Sequence, residues 1–498
     1  MSFNSIDFLI FLPVVVLGYF IIPGKLKNMW LLIASYYFYM CWNARYVLLI
    51  LTSTVVTYFS GLIIEKIKQA RVTAKRKETL KKVTVSMCLI INLGILFYFK
   101  YYNFAVEMLA RMLGKINVNV NIPTIDLLLP VGISFYTFQA LSYTFDVYRD
   151  DIYAERNFFR YALFVSFFPQ LVAGPIERSK NLLKQLAVTH KFSFENLREG
   201  VLLMLWGFFV KIVVADRIAI FVDAVYGDYT KYAGYYLTVA TLLFAVQIYC
   251  DFSGYSTIAM GCAKILGISL MDNFDAPYLS CSVAEFWRRW HISLTSWFKD
   301  YLYIPLGGSR RGKTRKYINK MIVFLTSGLW HGASLTFIVW GGLNGLFQVI
   351  GEILKPMKDK TISALHLNKD SLGYEVVHII CTFVLVDFSW IFFRAKSISD
   401  AFEIIKSIIT VKNQWILFDG SLYDCGLNSK NFCFMIISIG IVLFADICKH
   451  FGIIVREVII KQDLLIRCLF IAIAIWVILV FGKYGPAYDS SNFIYFQF

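Results

Sequence analysis

Long apolar runs follow one another along almost the whole chain, and burial in a lipid bilayer is the one setting that accommodates them all. They cover residues 8–23, 30–42, 46–64, 83–99, 126–143, 158–171, 201–222 and 235–250, then 321–350, 376–393, 432–448 and 464–482. Hydrophobic residues make up 58% of the 498 and charged residues only 16%. A soluble domain is about 45–50% apolar and about 25% charged, and a globule of this length lacks the interior to hide the excess. The chain is therefore expected to be an all-α polytopic membrane protein. At about 20 residues per helix plus short loops, its length allows about ten to twelve spans. Several runs are short or carry Pro130, Pro169, Gly174 or Pro175. Such segments read as re-entrant pieces buried in protein.

The net charge of +16 comes from 49 Lys+Arg against 33 Asp+Glu. In a membrane protein this excess marks cytoplasmic loops rather than nucleic-acid binding. Between Glu65 and Lys82 stand Lys66, Lys68, Arg71, Lys75, Arg76, Lys77, Lys81 and Lys82, which places that loop in the cytoplasm. Counting back three runs puts the N-terminus outside and the Lys25/Lys27 loop inside. Asp7 precedes the first run and no basic region does, so that run is not expected to be a cleaved secretory signal. Lys449, Arg456, Lys461 and Arg467 place the last loop inside and the tail outside. The ten cysteines form no C-x-x-C pair, and most lie in apolar runs (Cys88, Cys250, Cys381, Cys433, Cys468). They read as small buried hydrophobes.

Two stretches break the apolar pattern. Residues 278–320 are too polar for a span and too aromatic for an ordinary loop. They hold Glu285-Phe-Trp-Arg-Arg-Trp-His291, then Trp297, then Arg310-Arg-Gly-Lys313. Each arginine at a bilayer centre costs about 2.5–3.5 kcal/mol. This favours an interfacial position with Trp287, Trp290 and Trp297 at headgroup depth. From the residues alone, a basic amphipathic cytoplasmic helix lying on the membrane is the favoured reading. The second stretch is Gly328-Leu-Trp330-His331-Gly332, in which His331 stands about ten residues into the 321–350 run. Ionisable groups at membrane depth are rare and usually functional. Burial disfavours a cation, and neutral imidazole accepts a proton as a general base. A structural histidine bonding a neighbouring helix is the other reading. His190, His366, His378 and His450 read as solvated or capping groups. Asp251 follows the 235–250 run as a helix cap, as the ion-pair partner of Arg288 and Arg289, or as part of a polar pocket.

Here the residues resemble a known family, the membrane-bound O-acyltransferases. The nearest likeness is to the branch that O-acetylates bacterial alginate, with D-alanyl-teichoic acid transferases more distant. The carriers are Phe11-Leu-Pro13, Ile33-Ala-Ser-Tyr36, Leu129-Pro-Val-Gly-Ile-Ser-Phe-Tyr-Thr-Phe138, Gly174-Pro-Ile-Glu-Arg178, Asp251-Phe-Ser-Gly-Tyr-Ser256, Glu285-Phe-Trp-Arg-Arg-Trp-His-Ile-Ser-Leu294 and Gly328-Leu-Trp-His-Gly-Ala333. After residue 350 the likeness is one of hydropathy only. The resemblance implies a ring of about 10–12 helices with re-entrant segments around a central funnel. Residues 1–350 would form the catalytic membrane core and 351–482 further transmembrane helices, leaving 483–498 as an extracytoplasmic aromatic tail. It also implies a catalytic His331, a second characteristic position at His291, and a pocket containing Asp251, Trp287 and Trp330. The localisation implied is multi-pass in a bacterial cell membrane.

The chemistry implied is acyl transfer from a cytoplasmic thioester to a hydroxyl. The donor is acetyl-CoA or an acyl or D-alanyl carrier protein, with no metal. Arg288, Arg289, Trp290, Arg310, Arg311 and Lys313 suit coenzyme A phosphates or an acidic carrier. The acceptor is a cell-envelope or extracellular polysaccharide, reached with an extracytoplasmic serine esterase-like (SGNH-type) partner. The tail Asn492-Phe-Ile-Tyr-Phe-Gln-Phe498 is similar to the end of the small membrane peptide of teichoic-acid D-alanylation. Tyr495 is thus a candidate acyl relay, and an interfacial aromatic anchor is the alternative. A D-alanyl transferase is one rival reading. A transporter or flippase is another, but it would call for paired intramembrane charges and pseudo-symmetric halves.

Overall fold

A computed structural model describes residues 1–118, 123–125 and 129–484. Among these residues the secondary structure is helical throughout, with no strand. The helices fall into two compact units, Met1–Met204 with Ile258–Met271, and Leu205–Thr257 with the chain from Asp272 onward.

The first unit holds α1 (Ile6–Ile21), α2 (Lys27–Met40), α3 (Val47–Gln69), α4 (Ala74–Leu96), α5 (Tyr102–Gly114), α6 (Ile133–Tyr148), α7 (Phe158–Ser166), α8 (Phe168–Leu171) and α9 (Ser179–Leu186). The helix α10 (Phe194–Phe208) leads from it. Nearly every residue of α6, all of α8 and α7 from Tyr161 onward are buried, polar ones included. The expected 126–143 segment starts its helix only at Ile133, after Gly132 at φ 74°, and residue 126 lies outside the described residues. Interior helices need not span the bilayer, because neighbouring protein rather than lipid surrounds them. This explains the difference from ten to twelve simple spans: among the described residues, seven helical segments are long and apolar enough to cross alone.

The second unit holds α11 (Asp216–Gly227), the greater part of α12 (Tyr235–Ile265), α13 (Val283–Arg289), α14 (Ile292–Phe298), α15 (Lys313–His331), α16 (Leu335–Ala364), α17 (Leu372–Arg394), α18 (Ile398–Thr410), α19 (Ser429–His450), α20 (Val455–Ile460) and α21 (Leu464–Phe481). The apolar window of α21 has none of its residues buried in the protein and that of α19 has 17%, as expected where lipid is the surrounding solvent. Cys381, Cys433 and Cys468 are exposed on such helices rather than packed inside, whereas Cys88 and Cys250 are buried.

Two sequence expectations change here. The 321–350 run is not one span. Its helix ends at His331, Gly332 is extended, and Ser334 caps the next helix by accepting from the Thr336 amide. A Gly–Ala–Ser connector stops one helix and starts another, and apolarity alone does not reveal it. The 235–250 run likewise continues as helix to Ile265, so Asp251 is an interior helical residue and not a cap.

Candidate active site

The site is built on the hairpin of α15 and α16. The first half of α15 carries Lys313, Arg315, Lys316 and Lys320, and its second half is apolar. Lys316 and Lys320 both pair with Glu352 of α16, at 2.8 and 2.5 Å. Towards the tip the two helices close to backbone contact. A Cβ on Gly328 would collide with the Phe337 carbonyl, and one on Gly341 with the Phe324 carbonyl. Small residues permit that approach. His331 is the last residue of α15 and is 3% exposed.

Large rings surround it. The His331 imidazole lies 4.9 Å from Trp330, 5.0 Å from Trp340 and 5.7 Å from Phe393, centroid to centroid, all edge to face. Trp340 in turn stacks on Trp390 of α17 at 5.5 Å. Phe337 meets Phe393 at 4.9 Å. Such pairs add about 0.5–1.5 kcal/mol each beyond burial of their area, so the wall is rigid. Asn344 ties it together. Its Oδ1 accepts from the Trp287 indole at 3.1 Å, and its Nδ2 donates to the Trp340 carbonyl and to Ser389 Oγ.

His291 sits opposite. Ser282 and Glu285 start α13 by capping it from both directions, and the helix stops at Trp290, which is extended. His291 then takes φ 43°, ψ 53°, a left-handed conformation costly for a residue with a Cβ, and α14 begins. Buried Asn273 holds this turn. Its carbonyl accepts from Ile292 N at 3.0 Å and its Oδ1 from Ser293 N at 3.2 Å, while its Nδ2 donates to Ser256. Phe252 of α12 packs edge-on against the His291 ring at 4.6 Å. The two imidazoles are 6.4 Å apart, with Trp330 5.9 Å from His291. His291 lies outside the seven candidate spans. Complete burial pushes its pKa down to about 3, because a dry site penalises the cation. It is a neutral imidazole at any physiological pH.

The remaining predicted residues divide. Trp287 and Trp330 join the wall. Trp290 is 1% exposed, stacked on Phe286 and packed against Trp390. Trp287, Trp290 and Trp297 are thus buried in protein. The single amphipathic helix becomes two short helices, because the turn at His291 lets these indoles face inward. Arg289 pairs with Glu285 at 2.7 Å, and Arg288 is exposed. Arg310, Arg311 and Lys313 are exposed at the start of α15, about 27 Å along its axis from His331 at 1.5 Å per residue. Asp251 pairs with Lys211, not with the arginines. Lys211 stands on the π-helical segment Phe209–Ala215 and also bonds Asp216 at 2.7 Å. Tyr495 lies outside the described residues.

Other histidines take ordinary positions. His450 pairs with Glu375 at 2.9 Å, and His378 Nδ1 is 2.8 Å from the Tyr374 carbonyl. His190 Nε2 lies 2.9 Å from the Gln185 carbonyl. Among the described residues no group of three or more His, Cys, Asp or Glu converges as metal ligands would. Trp340, Trp390, Phe393, Asn273, Asn344 and Lys211 were not anticipated from the sequence. The one signal for them was polarity inside an apolar run, at Asn344 and Lys211.

The sequence profile of MBOAT, the membrane-bound O-acyltransferase family, matches residues 36–364. The chain is 38% identical over 399 residues to the probable alginate O-acetylase AlgI of Pseudomonas syringae pv. tomato, covering 80% of this chain and 73% of that protein. It is 34% identical over 432 residues to the peptidoglycan O-acetyltransferase of Helicobacter pylori, covering 80% and 78%. The teichoic acid D-alanyltransferase of Bacillus subtilis is 28% identical over 238 residues, covering 44% of this chain and 58% of that one.

Proposed function

The chain belongs to the membrane-bound O-acyltransferase family, and from that premise we propose that it carries an acetyl group from a cytoplasmic thioester toward hydroxyls of a cell-envelope or extracellular polysaccharide. It is a multi-pass membrane enzyme. The observation that carries the finer reading is the placement of His331: at the tip of a helical hairpin, buried among rings, and 6.4 Å from a second imidazole.

In this reading the acceptor hydroxyl attacks the thioester carbonyl while His331 takes its proton. The new C–O bond forms, the C–S bond breaks, and the proton passes from His331 to the leaving thiolate. An ester and a free thiol result, and His331 returns to its starting state. The dry aromatic surroundings protect the thioester from water. His291, held neutral, positions the reacting groups and does not supply charge. Arg288 and the exposed Arg310, Arg311 and Lys313 attract the phosphates of acetyl-CoA or an acidic carrier protein. Tyr495 relays the acyl group to an SGNH-type partner outside. The same scheme with D-alanine from a carrier protein is the second reading, supported by the likeness to D-alanyltransferases.

The test is transfer of labelled acetyl from acetyl-CoA in membranes containing the full chain. His331→Ala lowers the rate by about a hundredfold or more with unchanged protein level. Retained transfer removes His331 from the mechanism. Normal polymer acetylation by Tyr495→Phe removes the relay, and label arriving only from a D-alanyl carrier replaces the donor.

A further inference from the structure

The family match ends at residue 364, yet part of the wall around His331 comes from beyond it. Phe393 of α17 lies 5.7 Å from the His331 ring, 5.0 Å from Trp340 and 4.9 Å from Phe337. Trp390, one turn earlier, stacks on Trp340 and meets Phe393 at 5.2 Å. Both are almost wholly buried, at 1% and 2% exposure. Edge-to-face rings at these separations are closely packed, so aromatic rings wall this side of His331. The helix that carries them is held in register by Ser389 through Asn344.

This has a chemical consequence. The thioester carbonyl must come within reach of a hydroxyl whose proton His331 removes. The acyl chain attached to that carbonyl must then lie against the surrounding rings. A methyl group needs little room. Each further methylene needs a slot, and packed aromatic rings yield one only by moving. We propose that Trp390 and Phe393 of α17 are specificity-determining residues that restrict the acyl group to two carbons. The profile-matched core would supply the imidazoles, and a helix beyond the profile, within the span the relatives cover, would choose what they transfer. The inference rests on the thioester reading above and names the acyl class for that same site.

The experiment compares acetyl-CoA, butyryl-CoA and hexanoyl-CoA as labelled donors, using membranes with the full chain and scoring ester formed in the polymer fraction. Wild-type protein should prefer acetyl over butyryl by about tenfold or more, the scale on which apolar pockets discriminate added methylenes. Phe393→Ala should narrow that ratio by about tenfold through gained butyryl transfer, a change that damaged folding cannot produce. Phe393→Leu keeps an apolar side chain and should give a smaller gain, so the idea stays testable if the alanine variant accumulates poorly. Equal use of acetyl and butyryl by wild-type protein overturns the inference. So does an unchanged ratio in the variants, or a parallel loss of both donors. Acetyl transfer with an unchanged ratio overturns this inference alone. Absence of wild-type transfer from all three donors overturns the thioester reading as well.

Discussion

His331 and His291 differ in how their surroundings hold them. His331 ends a helix among three large rings, while His291 occupies a left-handed turn clamped by Asn273. Burial gives His291 a pH signature. Its folded pKa lies below its unfolded value, so between about 3 and 6.5 the unfolded chain binds a proton that the native state refuses. Native stability therefore rises with pH across that window and falls on acidification below 6.5. The apparent melting midpoint in detergent should drop between pH 7 and pH 5, and His291→Gln should flatten that slope. An identical slope in the variant would show that other groups set it. Both histidines stood out in the sequence because each interrupts a pattern. Trp340, Trp390 and Phe393 did not, since an aromatic residue in an apolar run looks the same whether it faces lipid or a buried imidazole.

At the scale of elements, the hairpin of α15 and α16 depends on backbone contact at Gly328 and Gly341. Gly328→Val would push a side chain into the Phe337 carbonyl and separate the helices, moving His331 away from Trp340. Overpacking of this kind typically costs about 1–3 kcal/mol. The expected result is a lower melting midpoint together with lost transfer, whereas Gly342→Ala, where a Cβ would meet only Leu325 at an ordinary contact distance, should change neither. Parallel behaviour of the two variants would rule out the close-approach argument. The sequence concealed this hairpin because 321–350 is apolar on both sides of the turn, and the Gly–Ala–Ser connector is too short to register in hydropathy. It concealed the fate of Asp251 for a related reason. Lys211 is 40 residues away, and nothing in either run announces that the two charges meet on neighbouring helices.

For the molecule as a whole, charge bias predicts that both ends of the chain face away from the cytoplasm. Alkaline phosphatase fused at either terminus should be active, and a fluorescent protein there dark; the opposite result at one end would require an odd number of crossings. Composition alone was enough to place the chain in a bilayer, because 16% charge cannot cover 58% hydrophobic residues with a polar surface. The linear motifs around His291 and His331 were enough to point to acyl transfer. Tertiary structure decided which apolar helices face inward, how a Gly–Ala–Ser break turns a long run into a hairpin, and which rings close around His331. Those outcomes depend on contacts between residues far apart in the chain. In a sequence so uniformly apolar, hydrophobicity does not distinguish a neighbour made of lipid from one made of protein.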